Sequence, residues 1–219
     1  MTSYDGPGRG RLLEQAPPPG RRERPAAVLI DADGVLQRTP DDWYDVLLGL
    51  GGEGFPEACF EIEKPSLRGE GDFRDHMQAH IDEHGLGCSV DDVLTPWLRI
   101  EVDEAAMEVV AQVRAAGTPC YLATNQQAVR AAHMREALPY GRALDGCFYS
   151  YELGVAKPDP EYWVRIAAAL DLPPQRLLFV DDRPDNVEAA RCVGLAAEEI
   201  PAHDEGATLR RVFTDYGLL

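Results

Sequence analysis

The chain is predicted to form an α/β fold: a doubly wound parallel sheet, Rossmann-like in outline, carrying a small inserted α-helical cap. Three observations lead there. An apolar run at 26–30 ends in Asp31-Ala32-Asp33-Gly34, the pattern of a buried strand that stops at a turn. From residue 102 onward, helical and strand-like stretches alternate, as they do where crossover helices join parallel strands. Between these two parts, 39–101 has helical periodicity broken by glycine and proline from Gly49 to Gly87 and contains no long alternating strand.

The elements follow in order. Residues 1–25 are rich in Gly, Pro and Arg and have no apolar signal-peptide core, although Arg21-Arg22 superficially resembles a twin-arginine signal. They read as a disordered tail. The core domain is assigned to 26–38 and 102–219, with the helical cap at 39–101. An amphipathic helix at 104–116 stops at Gly117 and is followed at once by a strand ending at Thr124. Helices at 126–137, 160–170 and 184–193 then alternate with strands at 147–150 and 177–180.

A length of 219 residues accommodates one α/β core and one modest insertion, but hardly two large domains. The formal charge of -17 argues against a nucleic-acid-binding surface, which needs a basic face. A small anionic partner stays compatible if a local cation offsets the field. Five scattered cysteines with no C-x-x-C spacing indicate neither a disulfide framework nor a zinc site, and a reducing cytoplasm is the expected location. No apolar run approaches the roughly 18–20 residues that span a bilayer, so no membrane association is expected.

Chemistry is expected at the strand ends, because in parallel α/β sheets reacting groups gather at the carboxyl ends. Asp31 and Asp33, two residues apart, point to the same side of an extended chain. Taken alone, this is also what an Asx turn before a helix looks like. Three further segments join it: Cys120-Tyr121-Leu122-Ala123 ending in Thr124-Asn125, Gly154-Val155-Ala156 leading to Lys157-Pro158, and Leu177-Leu178-Phe179-Val180 ending in Asp181-Asp182. In that order they resemble the four motifs of the haloacid dehalogenase (HAD) superfamily, over roughly 26–195. The stretch 122–194 is especially similar to the small-cap, sugar-phosphate-phosphatase-like subfamily.

The resemblance implies a magnesium-dependent phosphatase that hydrolyses a small phosphomonoester through an aspartyl phosphate. It makes Asp31 the nucleophile and Asp33 the acid that protonates the leaving oxygen and then activates water. Neighbouring carboxylates are expected to raise the Asp33 pKa. Four carboxylates in one pocket call for a cation, and Mg2+ suits hard oxygen ligands. By resemblance its ligands are the Asp31 carboxylate, the Asp33 backbone carbonyl and Asp182, with Asp181 standing behind Asp182 or taking its place. Thr124 and Asn125 would bind the phosphoryl oxygens or steady Asp31. Lys157 would neutralise both nucleophile and phosphate. The sequence contains only two lysines, Lys64 and Lys157, so an ammonium at this position stands out against a background of arginine.

The implied partner is a small phosphorylated metabolite, a sugar phosphate such as a hexose 1-phosphate being the first choice. A phosphomutase of the same superfamily is an alternative, weakened because 37–43 contains no His where those enzymes carry one. A non-catalytic binding or regulatory module is another, weakened because every catalytic position holds a competent residue. His76, His80 and His84 recur every four residues, a spacing able to bind a transition metal, but flanking acids favour an exposed helix face. Trp43, Tyr44, Phe55, Phe60 and Trp97 read as cap core and cap-to-core packing.

Overall fold

The computed structural model describes residues 22–219, so the tail expected at 1–25 lies outside the described residues except for its last four positions. Those four run along the core. Arg22 donates to the Tyr216 hydroxyl and pairs with Glu198, and Arg24 donates to Thr118.

Strand β1 (Ala27–Ile30) is buried along its whole length and lies at the middle of a five-stranded parallel sheet. Its neighbours are β4 (Cys120–Thr124) on one side and β6 (Leu177–Asp181) on the other, with β5 (Gly146–Tyr149) and β7 (Ala196–Glu199) at the edges. A strand flanked on both sides and covered on both faces has no use for polar alternation, which is why β1 is uniformly apolar. Val28 and Ile30 point into one apolar layer, Ala27 and Leu29 into the other. The first layer is completed by α5 (Glu104–Ala115), α6 (Ala128–Ala137), the short α7 (Tyr140–Ala143) and α11 (Ala207–Asp215). The second is completed by α9 (Glu161–Ala169), which follows the one-turn α8 (Ser150–Leu153), and by α10 (Pro184–Val193).

Local chemistry fixes the helix ends. Pro184 opens α10 and Gly194, at φ 100°, closes it. The helix expected from Gln126 begins two residues later, at Ala128. Gln127 is its N-cap, its side chain accepting from Val129 N and Arg130 N, while the Gln126 side chain is drawn into the site.

Between β1 and α5 the chain forms four helices: α1 (Trp43–Gly51), α2 (Phe55–Ser66), α3 (Phe73–His84) and α4 (Val90–Leu98). They enclose an apolar cluster of their own, including Leu47, Phe55, Cys59, Phe73, Met77, Ile81, Val93 and Trp97. Asp72 caps α3, and a reciprocal Ser89–Asp92 capping box starts α4. The chain enters and leaves this unit through a feature with no sequence signature, an antiparallel ribbon of β2 (Gln37–Arg38) and β3 (Glu101–Val102), each strand only two residues long.

Trp163 of α9 is fully buried and meets Phe179 of β6 edge-on at 5.5 Å. Replacing it with Ala should destabilise the chain by about 3–5 kcal/mol, read from urea unfolding, because loss of a fully buried indole leaves a large cavity in the core.

Candidate active site

The three central strands end in Asp31, Thr124 and Asp181-Asp182, so sheet order alone brings these residues to one rim. The chain order reverses there: β4 and β5 extend the sheet to one side of β1, β6 and β7 to the other. That crevice is where open α/β sheets bind ligands. Lys157 arrives from the loop after α8, its ammonium 2.8 Å from Asp31 Oδ1 and 2.7 Å from Asp181 Oδ2, with all three side chains almost completely buried.

Carboxylate oxygens of Asp31, Asp181 and Asp182 lie within 4.8 Å of one another, the arrangement a metal ion would need. Within this trio the two members of the last pair differ. Asp181 is used up internally: it accepts from Lys157 Nζ, from Arg183 N and, with both oxygens, from Asn186 Nδ2. Asp182 instead lines the cavity. Gly34, at φ 83°, makes room for it, since a Cβ there would fall 2.3 Å from Asp182 Oδ2.

Burial pushes the Asp31 carboxyl up to about 8, Lys157 opposing this and Asp181 adding to it. Asp182 is raised by burial and by Asp181. Burial works against the Lys157 ammonium, yet the carboxylates on either side outweigh it and raise its pKa. Three carboxylates share one ammonium here, and a divalent cation among hard oxygen donors would return Asp31 to its anionic form. The donor set therefore fits such an ion.

Asn125 lines the cavity and also holds the loop that carries Lys157. Its amide holds the Lys157 backbone from both sides, Nδ2 donating to Lys157 O and Oδ1 accepting from Lys157 N, each at 2.9 Å. It steadies Lys157, not Asp31. Thr124 is buried at the rim, its hydroxyl accepting from Gln126 Nε2.

Asp33 requires a correction. Neighbouring carboxylates were expected to raise its pKa, and the result has the opposite sign. Burial does push it up, but the Arg130 guanidinium grips both oxygens, at 2.6 and 2.8 Å, and Gln37 and Gln126 each donate one more hydrogen bond. Together these hold Asp33 down to about 2. Arg130 also donates from Nε to the Trp97 carbonyl of α4, so one side chain joins Asp33 to the helical insertion. Gln126 precedes the N-cap of α6 and Arg130 lies in its first turn, where Arg130 also donates to the Gln126 side chain; nothing in the sequence names Asp33 as their partner.

The cavity of about 670 Å³ is lined by Arg38, Lys64, Arg68, Arg130, Lys157 and Arg183 against four carboxylates, Asp31, Asp33, Glu63 and Asp182. A chain with a charge of -17 thus gathers cations at this one place, as an anionic ligand requires. His76, His80 and His84 stay outside it, whereas His203 lines it. His76 bonds Ser66 Oγ, His80 and His84 lie against each other on α3, and none belongs to a metal-ligating group among the described residues. Of the five aromatic residues assigned to packing, Phe55 is in the insertion's core and Tyr44 is on its surface, bonded to Glu57, whereas Trp43, Phe60 and Trp97 line the cavity.

Glu63 is a buried carboxylate that the sequence did not single out. Burial pushes it up to about 7, with Arg130 and the Trp97 Nε1 hydrogen bond of 2.9 Å opposing. Its folded pKa lies above the ordinary glutamate value of 4.5, so the folded chain holds the proton more tightly, and stability falls as pH rises from about 4.5 to about 7. Glu63→Gln, which keeps an acceptor for Trp97, should therefore exceed the wild type by up to about 3 kcal/mol at pH 8 in urea unfolding. The advantage should vanish as the pH approaches 4.5.

Partial matches link the chain to named phosphatases. It is 37% identical over 76 residues to a phosphatase of Mycobacterium tuberculosis, covering 35% of each chain. It is 30% identical over 93 residues to a sesquiterpene phosphatase of Aspergillus oryzae, covering 42% of this chain and 47% of that one. A flavin mononucleotide hydrolase of Arabidopsis thaliana is 34% identical over 62 residues. The chain thus spans less than half the length of each of these relatives. Its fold is shared with a HAD family enzyme of Bacteroides thetaiotaomicron solved as a magnesium complex, at TM-score 0.75, 20% identity and coverage of 84% and 98% of the two chains. A HAD-like hydrolase structure from Porphyromonas gingivalis gives TM-score 0.74 at 16% identity, covering 85% and 97%. The family model for haloacid dehalogenase-like hydrolases matches residues 25–194, which include the ends of β1, β4 and β6 that form the site, and the chain belongs to that family.

Proposed function

We propose that the chain is a magnesium-dependent phosphatase that hydrolyses a small phosphomonoester through a phosphoryl group carried on Asp31. The observation that carries this reading is the meeting of a buried, Lys157-paired Asp31 with a second acid, Asp33, in a cavity rich in cations. A carboxylate attacks phosphorus, and the mixed anhydride it forms is then open to water. The phosphatase names of the partial relatives support the same class.

The cation's ligands would be the Asp31 carboxylate, the Asp33 backbone carbonyl and Asp182, whose side chain faces the cavity, while Asp181 holds Lys157. When bound, Mg2+ supplies charge neutralisation for the phosphoryl oxygens. Lys157 neutralises Asp31 and the incoming phosphate from the other side, held in place by Asn125. Thr124 presents its hydroxyl and backbone N–H to the phosphoryl oxygens.

Asp33 supplies a proton to the leaving oxygen in the first half-reaction and takes one from water in the second. The Arg130 clamp favours the ionised form, the one needed for the second task. For the first, Arg130 must loosen its hold, and its bond to the Trp97 carbonyl makes the four-helix insertion the element that governs this. The insertion then acts as a cap over the site.

The reading is tested by phosphate release from simple esters. Activity should disappear with EDTA and return with magnesium, and Asp31→Asn should lower turnover by several orders of magnitude with an unchanged fold. Turnover that survives chelation or the Asn substitution would overturn the mechanism.

Arg130 gives a separate expectation. Arg130→Ala removes the group that lowers the Asp33 pKa, so the alkaline limb of the kcat/KM profile for an alkyl phosphate should move up by about one unit or more. Arg130→Lys should move it less. A limb that stays in place would show that Arg130 does not set the ionisation of Asp33.

A further inference from the structure

Away from the carboxylates the cavity changes character. On the insertion side, beside Thr39, Glu63, Lys64 and Arg68, its wall carries Trp43, Phe60, Leu67, Pro96 and Trp97. Trp43 and Phe60 meet edge to face at 5.2 Å, and Phe60 and Trp97 are 5.6 Å apart, so the rings make one continuous strip. Packing buries most of Trp97 but leaves Phe60 and Trp43 partly open. Phe60 is 40% exposed although its neighbour Trp97 is almost fully buried, and Trp43 is only half-buried. Phe60, Glu63, Lys64 and Leu67, spaced by three and four residues, bring one face of α2 to the cavity.

The polar groups on that face are largely engaged. The Glu63 carboxylate accepts from Trp97 Nε1, and Lys64 bonds both oxygens of Glu61. A leaving group rich in hydroxyls would give up its water here for few new hydrogen bonds, an unfavourable exchange. A planar apolar group would bury area against three rings and gain ring-to-ring contact. The cavity, at about 670 Å³, has room for such a group as well as the phosphate.

We propose that the organic part of the substrate is a planar apolar group lodged against Trp43, Phe60 and Trp97, and that the chain prefers such esters to sugar phosphates. This rests on the phosphatase reading and names the substrate class of the same site.

The test compares three esters of primary alcohols, so that leaving-group basicity differs little: 2-(2-naphthyl)ethyl phosphate, glycerol 3-phosphate and glucose 6-phosphate. The naphthyl ester should have the highest kcat/KM, by about tenfold or more, expressed mainly in a lower KM. Phe60→Ala should reduce that preference by about tenfold and Phe60→Tyr should keep it. Because Phe60 is partly exposed, both variants should fold, as circular dichroism will verify. Equal kcat/KM for the three esters, preference for the sugar ester, or a preference that Phe60→Ala leaves intact would overturn the proposal while sparing the phosphatase reading. If no ester releases phosphate, the phosphatase reading falls. The apolar wall is then tested by calorimetric binding of 2-(2-naphthyl)ethylphosphonate with magnesium present: binding weakened by Phe60→Ala sustains it, and no binding overturns it.

Discussion

The ammonium of Lys157 lies between the carboxylates of Asp31 and Asp181, and the rest of the site is organised around that contact. Two buried carboxylates this close could not both stay ionised without a positive charge between them. The ammonium in turn could not be buried without them. The supporting groups follow from this need: Asn125 fixes the Lys157 backbone, Asn186 and the Arg183 amide complete the hydrogen bonding of Asp181, and Phe179 lies under the ammonium at 5.2 Å from the ring centre. A lysine, with a compact charge and rotatable donors, can serve two carboxylates in a space that a planar guanidinium would not fit. The chain otherwise uses arginine for nearly all its positive charge.

Arg130 has the complementary task at the other acid. It is bidentate to Asp33, as a fork suits a carboxylate, and its remaining Nε–H reaches the Trp97 carbonyl. The two leading acids, two residues apart in sequence, therefore have opposite environments: burial dominates at Asp31 and a guanidinium at Asp33. Divergent environments for a pair of carboxylates are how one site can hold a nucleophile beside an acid and base.

The core was legible in the sequence because its signals are local. An apolar run that ends in an acid or a Thr-Asn pair marks both a strand and a rim position, and Pro184 with Gly194 marks both ends of a helix. The parts that were missed depend on distant partners. β7, Ala-Ala-Glu-Glu, has poor strand propensity and exists because β6 offers it a ladder. The β2–β3 ribbon is too short to alternate. The helix α11 mixes charged, polar and apolar residues, and only its apolar face, Leu209, Val212 and Phe213, shows where the core lies. Asp33 was read with the wrong sign because its partner comes 97 residues later, on a helix whose position only the sheet order fixes. Packing holds for Trp43 and Trp97, which belong to the insertion's apolar cluster; that these rings and Phe60 also border the cavity is invisible to periodicity, which cannot tell a ring that covers a core from one that faces a cavity.

The position of β1 has a consequence for how the chain acquires this structure. Its register partners are Cys120–Leu122 on one side and Leu177–Val180 on the other, so the first strand of the sheet waits for the far later β6 before both of its edges are paired. Until β6 emerges, an uninterrupted apolar segment has at least one open hydrogen-bonding edge, the kind of surface on which growing chains associate with one another. Closing loops of this length makes assembly slow compared with a helical bundle. Meanwhile the four-helix insertion, whose contacts are local, can form early and shield the nascent chain. The acids of β1 and β6 meet only when those two strands pair, and Lys157, which precedes β6 in the chain, is by then available to offset the crowding of like charge at the rim.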